Sequence, residues 1–150
     1  GTRSNARGID LNRNFPATTF RPSRGRGAKP LCEPESRFVM KLIQEHDPAL
    51  IISVHQPRRS VNWDGPAAPL AREMAVRTGY RLEASVGYST PGSLGSYFGK
   101  DLKRPIITLE LPRRRSAQKT FFEECVGAFR YALEWVQSMP KPRDAQAKAR

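Results

Sequence analysis

Two apolar runs limit the fold of this chain more than anything else in it: Leu50-Ile51-Ile52-Ser53-Val54-His55 and Ile106-Ile107-Thr108-Leu109-Glu110-Leu111. In each, an ionisable residue, His55 or Glu110, stands two positions before a proline. Short runs rich in β-branched residues and bounded by proline read as buried strands, and strands buried on both faces belong to sheets covered by helices. Helical patterns fill the intervals. Glu33-Pro34-Glu35 offers acids and a proline where a helix begins, Phe38, Val39, Leu42 and Ile43 mark one face, and His46-Asp47-Pro48 closes it. Pro69 to Thr78 reads as a helix stopped by Gly79, Leu82 to Val86 as a short strand, and residues 87 to 99 as a glycine- and serine-rich loop. A last helix, about Ala117 to Met139, carries the stripe Phe121, Phe122, Cys125, Val126, Phe129, Leu133 and Val136. The alternation predicts an α/β sandwich with a mixed, largely parallel sheet between helices over residues 1–139, and a basic flexible tail over 140–150.

A chain of 150 residues is long enough for one real core. No apolar run approaches the length that spans a bilayer, so no membrane is expected as a partner. Twenty-six basic against fourteen acidic residues give a net charge of +12, which draws anionic partners of many kinds. The basic residues gather in Arg21 to Lys29, in Arg113-Arg114-Arg115 and in Lys141 to Arg150 with few aromatics between them, which reads as solvated loops and a tail rather than a nucleic-acid track. Cys32 and Cys125 show no metal-type spacing, and so few cysteines favour a reducing compartment.

The polar chemistry concentrates in three places. Gly1 to Pro16 packs three arginines, three asparagines and an aspartate around only three large apolar side chains. Arg holds a carboxylate through two parallel hydrogen bonds and a neighbouring Asn adds a donor, so this segment is either an anion-reading surface or a loop turned by Asn and Gly. His55 and Glu110 are the other two. Alternation puts Ile51, Ser53 and His55 on one face and Ile106, Thr108 and Glu110 on one face, at strand ends where α/β sheets gather ligands. A histidine there suits a metal or a hydrogen-bonded rim, and the glutamate suits a general base or a paired structural carboxylate.

The order Arg3-x-Asn5, Asp10-Leu11-Asn12-Arg13-Asn14-Phe15-Pro16, Ile52-Ser53-Val54-His55, Tyr88, Gly92-Ser93 and Thr108-Leu109-Glu110 resembles the zinc metallocarboxypeptidase family. Glu33-Pro34-Glu35, the stretch from Val86 to Tyr97 and Glu110-Leu111-Pro112 are similar to its bacterial murein peptide amidase branch. The resemblance implies the family's three-layer fold, Zn2+ as cofactor, His55 as one zinc ligand and Glu110 as the base that takes a proton from zinc-bound water. It further implies that Arg3 polarises the scissile carbonyl, that Asn12 and Arg13 grip the substrate's terminal carboxylate, and that Tyr88 closes over it. Asp10 is expected to orient the Asn-Arg loop. Leu94 matches a pocket position where an acid would mark a preference for basic side chains, which disfavours a basic carboxypeptidase. The implied substrate is a peptide with a free terminal carboxylate, above all L-alanyl-γ-D-glutamyl-meso-diaminopimelate cut before its last residue, in the cytoplasm. An ordinary carboxypeptidase and a non-catalytic carboxylate-reading module are the alternatives.

The family's other two zinc ligands come as His-x-x-Glu ahead of the Arg3 region, and that motif does not occur in these 150 residues. The chain is therefore expected to be the carboxyl-terminal part of a longer enzyme, inactive alone, and to associate with the absent portion or a second copy.

Overall fold

The computed structural model describes residues 2–112 and 119–139. Its sheet has four strands, β1 (Ile51–His55), β2 (Arg58–Asp64), β3 (Arg81–Glu83) and β4 (Ile106–Pro112), in the order β1-β4-β2-β3. β4 runs parallel to β1 and antiparallel to β2, and β2 runs parallel to β3, so the sheet is mixed with parallel pairs in the majority. The register sets His55 level with Glu110 and Glu110 level with Ser60.

Helices cover both faces. On one side lie α2 (Ala68–Thr78) and α3 (Lys119–Gln137), whose Leu70, Met74, Cys125 and Ala128 bury Val61, Ile107 and Leu109. Alanines at 71, 75, 128 and 132 in this core leave little side-chain bulk between the two helices, and the Arg77 guanidinium stacks 4.2 Å over the Tyr131 ring. On the other side, α1 (Pro34–His46) and a π-helix (Gly95–Asp101) bring Ile43, Leu94 and Phe98 together with Phe15 and Ile106. This is the expected three-layer α/β architecture.

Several local expectations need correction. β1 is half-buried, with Val54 52% exposed, because it pairs with β4 alone among the described strands and forms the sheet edge. In α1 the buried residues are Ser36, Met40 and Ile43, while Phe38 and Leu42 face outward; Leu133 of the α3 stripe is also exposed. β2 was not anticipated, β3 is shorter than Leu82 to Val86, and part of the 87–99 loop is the start of the π-helix. Arg113 to Arg115 and the tail expected at 140–150 lie outside the described residues.

The helix ends follow the sequence closely. Pro34 opens α1, Asp47 closes it at φ 41, and Gly79 closes α2 at φ 64, where its amide donates to the Ala75 and Val76 carbonyls.

Candidate active site

The amino-terminal polar segment divides into two sets with different jobs. Asn14, fully buried, donates from Nδ2 to the carbonyls of Arg26 (2.7 Å) and Lys29 (3.2 Å) and accepts the Glu33 amide on Oδ1, pinning the basic loop to the start of α1. Asn5 Nδ2 donates to the buried Glu33 carboxylate at 2.8 Å. Around Arg21 to Arg26, guanidiniums bond to the loop's own carbonyls, Arg21 to Phe20 and Arg26 to Arg21.

Arg3, Asp10, Asn12 and Arg13 form the second set, and all four line a cleft of about 850 Å³. Asp10 caps the short 3-10 turn Leu11–Arg13 by accepting the Asn12 amide on Oδ1, while its Oδ2 accepts Arg3 Nε at 2.8 Å. It thereby orients the loop, as the sequence suggests. The bond to Asp10 pushes Arg3 above the usual guanidinium range. Arg13 moves the other way: burial lowers it, with Asp10 opposing. Tyr88, half exposed, lines the cleft with both guanidiniums and raises both slightly.

Asn12 joins these groups to the sheet. Its Oδ1 accepts the Leu94 amide at 2.9 Å, which turns Nδ2 toward His55 Nε2, 3.5 Å away. Ser53 Oγ lies 3.0 Å from the same ring nitrogen. One strand over, Glu110 is 7% exposed, and its Oε2 has no hydrogen-bond partner among the described residues. A buried carboxylate oxygen without a partner is costly, and in a cleft it calls for a chemical explanation.

The structure thus brings together Arg3, Asn12, Arg13, His55, Tyr88 and Glu110 around one cleft. Leu94 does not join them: at the start of the π-helix its side chain packs in the core with Phe15 and Phe98, and its contribution is the backbone N–H that positions Asn12. Among the cleft residues that escaped the sequence reading are Arg58, Asn62, Asp64 and Lys100. Alternation in β2, polar at 58, 60, 62 and 64 against Val61 and Trp63, was the signal for three of them. Glu83 anchors that side of the cleft, accepting Ser60 Oγ at 3.0 Å and pairing with Arg58 at 3.1 Å.

As a metal site the described residues fall short. His55 is one imidazole, a catalytic zinc takes three protein ligands, and no group of three His, Cys, Asp or Glu side chains able to hold an ion occurs among the described residues.

A mixed sheet of this order carries a histidine and a glutamate abreast, with Asn12 and Arg13 lining the same cleft, and the chain belongs to the zinc carboxypeptidase family, whose model matches residues 1–119. Among curated proteins it is 34% identical to murein peptide amidase A of Escherichia coli strain K12, over 97% of this chain and 63% of that protein. The fold matches the crystal structure of murein-tripeptide amidase from Escherichia coli O157 with a TM-score of 0.70 and 30% identity, covering 91% of this chain and 62% of the other. It also matches carboxypeptidase A from Helicoverpa armigera with a TM-score of 0.71 at 19% identity, over 89% and 43% of the two chains, which speaks for the fold alone. The chain spans about 63% of the length of the Escherichia coli relative. Among the described residues no helix is long and apolar enough to cross a membrane.

Proposed function

We propose that the cleft hydrolyses the amide bond preceding a carboxyl-terminal residue, and that its substrate is L-alanyl-γ-D-glutamyl-meso-diaminopimelate, cut between the glutamyl and diaminopimelyl residues. The observation that carries this is the buried Glu110 carboxylate with its unpartnered Oε2 beside His55. The substrate rests on the names of the relatives and on a cleft rich in arginine, which suits an acidic peptide.

In this reading Glu110 takes a proton from the attacking water and later returns it to the leaving amine. Arg3 faces the carbonyl oxygen as negative charge develops on it. Arg13 binds the terminal carboxylate. Asn12, whose Oδ1 is occupied by the Leu94 amide, offers Nδ2 as a further donor. Tyr88 covers the bound end. His55 would supply one ligand to a zinc ion whose other ligands would come from outside residues 1–139, and these residues would make up the carboxyl-terminal portion of the catalytic domain. These 150 residues alone are then inactive, and the open edge at β1 is where the remainder, or a second copy, joins. Only two cysteines, Cys32 and Cys125, occur in the 150 residues, and so sparing a use of cysteine fits the cytoplasm.

The test is mass spectrometry of the zinc-loaded full gene product incubated with the murein tripeptide. Release of diaminopimelate is expected. Trimming of an ordinary peptide with a hydrophobic end, without that release, would replace the reading with a general carboxypeptidase, and silence on both would leave a binding module. Arg13→Ala is expected to raise KM for the free-acid tripeptide about 100-fold while barely affecting a carboxyl-amidated one. Equal loss on the two would remove Arg13 from the carboxylate grip.

A further inference from the structure

The reaction outlined above leaves one pair of charges in the cleft without a task. Asp64 ends β2 on the same face as Asn62, and Lys100 Nζ lies 3.3 Å from its Oδ1. Both line the cleft. Asp64 is level with Ile106, four residues along β4 from Glu110, an offset on the order of 13 Å at the rise of a strand.

The surroundings enclose the acid and leave the base exposed to solvent. A Cβ at Gly95 would fall 2.3 Å from Asp64 Oδ2, and one at Gly99 would fall 2.3 Å from Asp64 Cβ, so two glycines of the π-helix make the notch that the acid occupies. The Asp64 side chain is 20% exposed, whereas that of Lys100 is 58% exposed. An enclosed carboxylate beside an exposed ammonium presents both signs of charge to whatever enters this end of the cleft. Such a pair is a poor source of stability, because the lysine is largely solvated.

We infer that Asp64 and Lys100 read the far end of the substrate's last side chain, selecting one that carries both an ammonium and a carboxylate. The inference rests on the amidase reading and specifies its substrate. A diaminopimelyl side chain ends in such a zwitterion: its carboxylate pairs with Lys100 and its ammonium with Asp64. Three methylenes between its two centres, added to the lengths of the Glu110 and Lys100 side chains, span the offset along the sheet. A lysyl side chain brings only an ammonium, which meets Asp64 but repels Lys100. An apolar side chain satisfies neither and must separate the pair without replacement.

Calorimetric binding to the full, zinc-loaded gene product silenced by Glu110→Gln separates recognition from turnover. The tripeptide ending in meso-diaminopimelate is expected to bind at least about 10-fold tighter than the same tripeptide ending in L-lysine. Lys100→Met should erase that ratio by weakening the first ligand and relieving the repulsion of the second, and Asp64→Asn should weaken both. Equal binding of the two ligands by the parent, or equal weakening of both by Lys100→Met, would overturn the inference and leave the amidase reading intact. Failure of both tripeptides to bind would overturn the two together.

Discussion

Glu110→Gln is expected to lower kcat on the murein tripeptide by about 1,000-fold with little change in KM. The substitution keeps the shape of the side chain and removes its basicity, and positioned general bases contribute factors of roughly 10² to 10⁴. Because Oε2 has no partner among the described residues, no hydrogen bond that holds the fold is lost there. A buried carboxyl oxygen without a partner is itself unfavourable, so Tm should be unchanged or higher. Steady-state kinetics by mass spectrometry and a thermal melt of the same preparation check both parts. A variant that retains turnover would show that the proton goes elsewhere; one that loses turnover along with several degrees of Tm would make Glu110 a structural residue.

Gly92→Ala is expected to cost about 3 kcal/mol of stability and to disable carboxylate recognition with it. Gly92 has φ +71, and a Cβ there would lie 2.4 Å from the Arg13 carbonyl oxygen and 2.9 Å from the Phe20 ring. The Phe15 amide donates to the Gly92 carbonyl at 2.9 Å, so the strip carrying Asn12 and Arg13 lies directly against this turn. The methyl group adds left-handed strain to a backbone collision, and backbone cannot swing aside as a side chain can. Gly8→Ala is the control: φ is +77 but nothing lies within 4 Å, so it should cost only about 1 kcal/mol. Urea melts of the two variants compare the costs, and kcat/KM on the free-acid tripeptide should fall for Gly92→Ala only.

Of the residues that meet in the cleft, His55 and Glu110 were legible because periodicity sets their positions, whereas Arg3, Asn12, Arg13 and Tyr88 stood out through the family resemblance. A strand alternates faces, so His55 and Glu110 follow from where the apolar runs end, and the register places them abreast. β2 was less legible because it opens on Arg58-Arg59 and sits between Pro57 and Gly65-Pro66, which read as loop punctuation. Its partner strand supplies what its own propensity lacks, since β4 buries Val61 and bonds along its length. The π-helix is a stronger case. Gly95, Ser96 and Gly99 are poor helix formers, yet Phe98 is fully buried there and the two glycines admit Asp64. Leu94 was marked by resemblance as a pocket position; its side chain turns into the core and its amide donates to Asn12 Oδ1, a placement that the sequence pattern around it does not reveal. On α1, Phe38 and Leu42 make a convincing stripe in the sequence, but the described residues give that face nothing to pack against.

The link from β1 to β2 is only Gln56-Pro57, yet β4 lies between those two strands. The short bridge therefore arches over a slot that a much later part of the chain must fill. As the polypeptide leaves the ribosome, Asn12, Arg13 and His55 emerge first, and Glu110 emerges only with the strand that closes the slot. Completion of the sheet and the arrival of Glu110 beside His55 are therefore a single event.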